Sequence, residues 1–263
     1  MNKIGFIGCG NMGGALIRAA VKAVKPSQIW ITDKDVSKQN ALAKETGAAA
    51  KDIKEIASKC SYIFLGVKPQ VMADMLAEIK KTLVSRKDHF VLVSMAAGIS
   101  IERLIKMCAD CPIIRIMPNI PASVGEGMIL YACHKASKAD VDAFLKVLSQ
   151  AGKLAAVDEK LIDAGSAVSG CGPAYAFMFI EALADGGVRC GLPRAQAQLL
   201  AAQTLLGSAK MVMETGKHPG ELKDAVCSPG GTTIEGVLAL EEGGFRGTVS
   251  DAVIAAYEKN KLL

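Results

Sequence analysis

The sequence has few aromatic side chains, which make up 5% of its 263 residues and include a single tryptophan. Apolar residues nevertheless account for 51% of the chain, so alanine, leucine, isoleucine, valine and methionine must build the core. A core of this kind favours α/β or all-helical packing over an all-β sandwich. The length suffices for one large domain or two ordinary ones.

Other absences narrow the function. No dense run of lysine and arginine accompanies the net charge of +5, which speaks against a nucleic-acid partner. No uncharged run reaches membrane-spanning length without a glycine, proline or polar interruption, so no membrane partner is expected. No export signal is visible, and we expect the eight cysteines to be free thiols of a cytoplasmic protein. Cys108 and Cys111 have C-x-x-C spacing but no second pair, so we interpret them as structural and expect no metal site.

The beginning of the chain indicates a dinucleotide-binding unit. A short apolar strand over 3–7 runs into a G-x-G-x-x-G motif formed by Gly8, Cys9, Gly10, Asn11, Met12 and Gly13, and a helical pattern follows. A second strand pattern over 28–32 ends in Asp33, 20 residues after the last glycine. In such a βαβ unit the glycines let the backbone approach a pyrophosphate. The alternative, a glycine-rich turn without a nucleotide, accounts for less of this pattern.

Strand and helix patterns then alternate as far as Glu159. Continuous apolar runs at 62–67, 90–95 and 113–117 predict strands buried on both faces, and further strands are expected at 128–133 and 154–157. This order predicts a doubly wound, mostly parallel sheet. Ligands bind such sheets at the carboxyl ends of the strands. Residues there that we expect near the ligand are Val67, Lys68, Pro69, Ala96, Ala97 and Gly98.

After Glu159 only helical patterns follow. We expect helices over 161–191, with a kink at 170–173, and over 193–215, 219–226, 232–242 and 245–261. Pro193 and Pro219 suit first-turn positions. The sequence therefore predicts two domains, a dinucleotide-binding domain over 1–159 and an all-helical domain over 160–263.

Two stretches of the helical half suggest contacts beyond the chain itself. Residues 174–184 carry one charge, Glu181, and a helix that is apolar all round must be covered, so we expect a second subunit on it. The stretch Ser228–Thr233 holds a proline, two glycines and two threonines ahead of a helical pattern. A loop that enters a helix N-terminus suits an anion, although a capped helix after a tight turn accounts for the same residues.

The chain resembles the pyrroline-5-carboxylate reductases, with matching motifs in that family's order along its whole length. The motifs lie at 6–12, 67–70, 96–98, 117–121, 169–175, 182–187, 191–193 and 228–233. The resemblance implies a Rossmann-like domain followed by an all-α dimerisation domain. It also implies a cytoplasmic enzyme that reduces 1-pyrroline-5-carboxylate to L-proline with NADPH or NADH. The family's assembly implies a homodimer at least, and a higher homo-oligomer such as a decamer.

The resemblance also assigns roles to residues. It implies that the coenzyme is bound by the glycine motif, Asp33, Lys34 and the strand-end residues named above. It places the substrate carboxylate on Ser228, Gly230, Gly231, Thr232 and Thr233. The Thr233 hydroxyl would be the catalytic group, hydrogen-bonded to the ring nitrogen of the substrate. Glu159 would lie near the substrate ring. None of these is a strong acid or base, as suits a hydride transfer that mainly needs positioning.

Three positions depart from the family's pattern. Asp33 and Ile53 stand where the family often has a small polar residue and an asparagine suited to a 2′-phosphate. An acidic residue there favours the ribose hydroxyls of NADH, whereas Lys34 could compensate, so the coenzyme preference stays open. Ala225 stands where some members have an asparagine near the substrate.

Two other functions remain as alternatives. A β-hydroxyacid dehydrogenase also joins a Rossmann half to an all-α half, but it needs a lysine on the first helix after the sheet to move a hydroxyl proton. No lysine occurs here between Lys160 and Lys210. A nucleotide-sensing protein without chemistry would have the same fold, since fold alone does not imply function.

Overall fold

The computed structural model describes residues 3–261. The chain forms two compact units, one that runs to Cys171 and takes up the chain again from Tyr257, and one formed by Gly172–Ala256. The end of the last helix belongs to the first unit, where the side-chain amide of Asn260 donates to the carbonyl of Asp163 (3.2 Å). A domain boundary at Glu159, which lies inside the first unit, stays a prediction.

The first unit is built on a sheet that has eight strands among the described residues, in the order β3-β2-β1-β4-β5-β6-β7-β8. The strands are β1 (Ile4–Ile7), β2 (Ile29–Thr32), β3 (Ala49–Ala50), β4 (Tyr62–Leu65), β5 (Val91–Ser94), β6 (Ile113–Met117), β7 (Gly127–His134) and β8 (Gly152–Ala156). Only the β6–β7 pair among them is antiparallel. The predicted doubly wound, mostly parallel sheet is confirmed, and β8, at one edge of the sheet, covers most of the strand expected at 154–157.

Helices cover both faces of this sheet. They are α1 (Asn11–Ala23), α2 (Val36–Thr46), α3 (Ile53–Lys59), α4 (Pro69–Ser85), α5 (Ile101–Met107), α6 (Lys138–Val147) and α7 (Ile162–Gly165). One core joins α1 and α6 to the sheet through buried residues such as Leu16 and Phe144. The other joins α3, α4 and α5 to the opposite face, around Met72 and Leu104. Strands buried on both faces account for the continuous apolar runs of the sequence.

The N-terminus of α6 shows how polar side chains fix these helices. Ser137 and Asp140 form a capping box, in which each side chain accepts a hydrogen bond from the other residue's backbone N–H. Asp140 is buried and also hydrogen-bonds the Nε2 atom of His89 (2.7 Å). Burial acts to raise the pKa of Asp140, but the bonds from His89 and Ser137 outweigh it and hold that pKa below its ordinary value.

The second unit contains α8 (Gly172–Arg189), α9 (Arg194–Thr215), α10 (Pro219–Val226), α11 (Thr232–Glu242) and most of α12 (Phe245–Asn260). The kink was predicted at 170–173, and the structure instead has a π-helical turn over Ser166–Gly170, just before α8. Pro219 lies in a first turn as expected. Pro193 does not, because its extended ψ of 140° makes it the residue that precedes α9.

The interior of the second unit is small, with Ala184, Ala197 and Ala201 at its centre. Large apolar side chains of α8 are exposed instead, and Phe177 and Met178 keep 58% and 68% of their surface accessible. The helix that the sequence required to be covered is therefore only partly covered by its own chain. A soluble chain rarely leaves such a surface exposed unless a partner binds it.

One helical stretch among residues 3–261, Glu159–Arg189, has the length and apolar composition of a membrane span. It contains the glycines and the proline seen in the sequence, and the π-helical turn falls within it. A helix that packs on a partner subunit meets the same criterion, so this single stretch says little about a membrane.

Candidate functional site

The loop between β1 and α1 has the close packing that a dinucleotide motif requires. Gly8 has a φ of 111°, and a Cβ on it would lie 2.5 Å from the carbonyl oxygen of Gly66, the residue after β4. A Cβ on Gly13 would collide with the carbonyl oxygen of Gly8. A Cβ on Gly10, in contrast, would meet no described atom within 4 Å. Two glycines of the motif therefore serve packing, and the middle one faces open space.

The N-terminus of α1 is open to an anion. Gly10 precedes the helix, and no side chain caps it. The first backbone N–H groups of a helix have no partner within the helix, and the dipole makes that end positive. The first turn of α1, formed by Asn11, Met12 and Gly13, contains no acidic residue. The loop therefore meets the requirements for binding a pyrophosphate.

Asp33 lies beside this loop at the end of β2. Its Oδ2 atom accepts a hydrogen bond from the backbone N–H of Cys9 (2.6 Å), and Oδ1 accepts one from Asp35 N–H (2.8 Å). The carboxylate is therefore held in place by two backbone amides. Burial, reinforced by the charge of Asp33, raises the pKa of the Cys9 thiol to about 12, so this thiol is neither a nucleophile nor a useful acid. Lys34 follows in the same turn with its side chain exposed.

The strand-end residues of β4 and β5 also meet. A cavity of about 230 Å³ is lined by Pro69 and Gln70 from the start of α4 and by Ala97, Gly98, Ile99 and Arg103 from the segment after β5. Pro69, Ala97 and Gly98 were predicted site residues. Lys68 is exposed just before α4, Val67 is half-buried and Ala96 is buried, and none of the three lines this cavity.

Gln70 and Arg103 were not predicted at this cavity. Gln70 belongs to the Val67–Gln70 motif, so its place in that motif could have marked it as a site residue. Arg103 is placed by the hydrogen bond that its backbone N–H donates to the Ser100 hydroxyl at the start of α5 (3.2 Å).

The Glu159 carboxylate is hydrogen-bonded within the first unit. Its Oε1 atom accepts hydrogen bonds from the backbone N–H of Ile101 (2.7 Å) and from the Nη1 atom of Arg115 (3.2 Å). The Nη2 atom of Arg115 reaches Oδ1 of Asp163 (2.9 Å). Arg115 is 3% exposed. Arg115 was not among the predicted site residues, although a charged residue inside the apolar strand run 113–117 is unusual enough to mark it.

The Ser228–Thr233 loop lies in the second unit and enters α11 as predicted. Gly230 has a φ of 65°, and the backbone N–H of Gly231 donates to the carbonyl of Ser228 (3.0 Å). Gly231 precedes the helix, and no side chain caps it. Thr232 is exposed and Thr233 is half-buried in the first turn. This eleven-residue helix therefore presents an uncapped, accessible N-terminus to a carboxylate, with one acidic residue, Glu235, in its first turn.

The two remaining departures are also located. Ile53 is the first residue of α3, where Asp52 caps the helix. Ala225 lies near the end of α10 with an exposed side chain. A larger cavity of about 560 Å³ lies among α8, α11 and α12 and is mostly apolar, and it includes none of the predicted site residues.

Comparisons with known proteins find relatives that match the whole length of the chain. Residues 159–263 match the family described as pyrroline-5-carboxylate reductase dimerisation, and residues 3–98 match the family described as NADP oxidoreductase, coenzyme F420-dependent. The pyrroline-5-carboxylate reductase of Escherichia coli K12 is 46% identical over 266 residues, covering 99% of this chain and 98% of the relative.

Solved structures of similar proteins also match the whole chain. The pyrroline carboxylate reductase of Plasmodium falciparum, with NADP bound, has a TM-score of 0.86 and 34% identity, covering 99% of this chain and 97% of that one. The enzyme of Coxiella burnetii has a TM-score of 0.91 and 30% identity at the same coverage. The chain belongs to the pyrroline-5-carboxylate reductase family.

Proposed function

We propose that two helix N-termini of this chain bind the two reactants. The glycine loop before α1 binds the coenzyme, and the Ser228–Thr233 loop before α11 binds the substrate. As a member of its family, the chain is an NAD(P)H-dependent oxidoreductase that reduces 1-pyrroline-5-carboxylate to L-proline in proline biosynthesis. When bound, the coenzyme supplies the hydride that the imine carbon receives.

The open space at Gly10 is the observation that supports the coenzyme half best. Gly8 and Gly13 pack the loop against β4 and α1, while the backbone around Gly10 stays accessible to a pyrophosphate. Cys9, Asn11 and Met12 complete the loop. Asp33 and Lys34 occupy the turn where the ribose binds in such folds. Val67, Lys68, Pro69, Ala96, Ala97 and Gly98 bind the nicotinamide half, which enters the cavity that Pro69 and Gly98 line.

The uncapped start of α11 supports the substrate half. The backbone N–H groups of Ser228, Gly230, Gly231, Thr232 and Thr233 hold the substrate carboxylate at the positive end of the helix. The Thr233 hydroxyl hydrogen-bonds the ring nitrogen and orients the imine. The role of Glu159 at the substrate ring stays a prediction, because its Oε1 atom already serves Ile101 and Arg115.

The chain forms a homo-oligomer through its dimerisation domain. The exposed apolar side chains of α8 give a physical reason, since a second copy would remove them from water. We extend this to a decamer on the strength of the family resemblance. The mass of the purified protein by light scattering tests it. A cytoplasmic location is a further proposal, supported by the eight cysteines, all of them free.

Initial rates on the purified full chain test the proposed reaction. We expect NAD(P)H consumption with 1-pyrroline-5-carboxylate and none with ketoacid substrates, and no reduction of NAD(P)+ with β-hydroxyacids. Thr233→Val should lower kcat by on the order of tenfold or more with little change in coenzyme affinity, since a hydrogen bond to the reacting ring is lost. Thr82→Val, near the far end of α4, is the matched control. Unchanged kcat in the Thr233 variant would remove its hydroxyl from the mechanism.

A further inference from the structure

We propose that Arg115 is a positioning residue for the coenzyme: it holds the Glu159 carboxylate on the start of α5, and α5 in turn holds the Ala97–Ile99 wall of the coenzyme cavity. The inference rests on the proposed function, because it assumes that this cavity receives the coenzyme. It assigns a role to a buried charge that the reaction itself does not use.

The first observation is the burial of the Arg115 charge. Arg115 lies on β6, between β5 and β7, and its side chain is 4% exposed. Its Nη1 and Nη2 atoms face two carboxylates, Glu159 at 3.2 Å and Asp163 at 2.9 Å. Its Nε atom is buried and has no hydrogen-bond partner among residues 3–261. A buried guanidinium is costly to desolvate, so these two carboxylates are what makes it tolerable.

The second observation is that one oxygen of Glu159 makes two contacts. Oε1 accepts from Arg115 and also from the backbone N–H of Ile101, the first residue of α5, at 2.7 Å. The Glu159 side chain is 32% exposed, so without Arg115 it is free to turn towards water. Arg115 therefore keeps the acceptor of the Ile101 N–H in place.

The third observation links α5 to the cavity. The helix has seven residues, too few to be stable without tertiary contacts. Gly98, with a φ of 72°, and Ile99 lead into it, and both line the 230 Å³ cavity together with Arg103 from its first turn. Loss of the bond at Ile101 thus loosens one wall of the cavity. Arg115 does not line the cavity itself, so it acts through Glu159.

This role and a substrate-contacting role for Glu159 predict different measurements. If Glu159 holds α5, its loss raises the dissociation constant of the coenzyme. If Glu159 contacts the substrate ring, its loss raises the KM for 1-pyrroline-5-carboxylate and leaves coenzyme binding unchanged. Glutamine at 159 separates charge from hydrogen bonding, because its carbonyl oxygen still accepts from Ile101.

The test measures NADH and NADPH binding to the full chain by fluorescence titration, with steady-state kinetics and thermal unfolding in parallel. We expect Arg115→Met and Glu159→Ala each to raise the coenzyme dissociation constant on the order of tenfold, the effect of one lost charge-assisted hydrogen bond. The KM for 1-pyrroline-5-carboxylate should not change. The double variant R115M/E159Q should recover most of the affinity, since no buried charge is left unpaired and Ile101 keeps its acceptor. Arg115→Lys should be intermediate, because a lysine cannot reach both carboxylates in the same fork geometry.

Asp163→Asn is the matched control, because it removes the other carboxylate without touching α5. It should lower thermal stability and leave the coenzyme dissociation constant unchanged. The inference is wrong if Asp163→Asn weakens coenzyme binding as much as Arg115→Met. It is also wrong if Arg115→Met and Arg115→Lys lower stability alone, or if Glu159→Ala raises only the substrate KM. Should Arg115→Met fail to fold, Arg115→Lys and Glu159→Ala still decide. A wild-type chain without turnover would refute the proposed function, while the binding titrations would still test the role of Arg115.

Discussion

Replacing Asp33 is expected to shift the coenzyme preference towards NADPH. The Asp33 carboxylate is fixed by the N–H groups of Cys9 (2.6 Å) and Asp35 (2.8 Å), so it cannot turn away from a group bound beside the glycine loop. In a dinucleotide site such a carboxylate suits the two ribose hydroxyls of NADH and repels the 2′-phosphate of NADPH. Asp33→Ser and Asp33→Asn both remove that charge.

The size of the shift follows from Coulomb's law. A carboxylate about 5 Å from one phosphate charge costs roughly 3 kcal/mol at an effective dielectric constant of about 20. The exposed Lys34 offsets some of this repulsion, and the phosphate's charge beyond one unit adds to it. We therefore expect the NADPH/NADH ratio of kcat/KM to rise on the order of 100-fold. The lost hydrogen bonds loosen the loop for both coenzymes alike, so this cost cancels in the ratio.

Initial rates with both coenzymes side by side provide the assay. Asp33→Asn keeps one acceptor oxygen, so it should cost less overall affinity than Asp33→Ser and give a similar shift of the ratio. Asp35→Asn is the control, because Asp35 carries the same charge in the same turn but caps α2. A ratio that stays unchanged in both Asp33 variants would show that the carboxylate does not reach the 2′ position. An equal shift in Asp35→Asn would attribute the effect to net charge.

Three further outcomes are expected. Gly10→Ala should keep its unfolding temperature but lose coenzyme affinity, whereas Gly13→Ala should lower the unfolding temperature, because its Cβ would strike the Gly8 carbonyl; equal melting temperatures would contradict this. Asp140→Asn should lower the free energy of unfolding by about 1–2 kcal/mol at neutral pH, with Asp142→Asn as control. Folding lowers the pKa of Asp140, so its contribution to stability is present above its unfolded pKa of about 3.9 and is lost as the pH falls below that. Chemical denaturation should therefore show a smaller difference in stability between Asp140→Asn and the wild type at pH 3 than at pH 7. Phe177→Asp should dissociate the oligomer in light scattering, and an unchanged mass would place the interface elsewhere.

The sequence allowed the fold to be predicted wherever one signal dominated. The buried strands were visible because short, continuous apolar runs between turn residues are typical of strands covered on both faces, and β6 was predicted to the residue at 113–117. The strand β3 was not, since two alanines carry no period and pair only through the neighbouring β2. Pro193 was misplaced by one position, because its φ suits both the first turn and the residue before it, and only ψ distinguishes them.

The parts of the candidate site that depend on residues close together in the sequence could be predicted, and the parts that depend on distant residues could not. The glycine motif and the Ser228–Thr233 loop depend on backbone geometry within a few residues, so their types and spacing revealed them. Arg115 depends on partners 44 and 48 positions away, and no local pattern pairs it with Glu159 and Asp163. An arginine inside a strand run was a visible anomaly, because a charge there must find a partner. The same contacts give Glu159 a structural role that the family resemblance did not suggest. A charged residue within a buried strand is therefore a reason to look for its partners among the polar residues that follow the sheet.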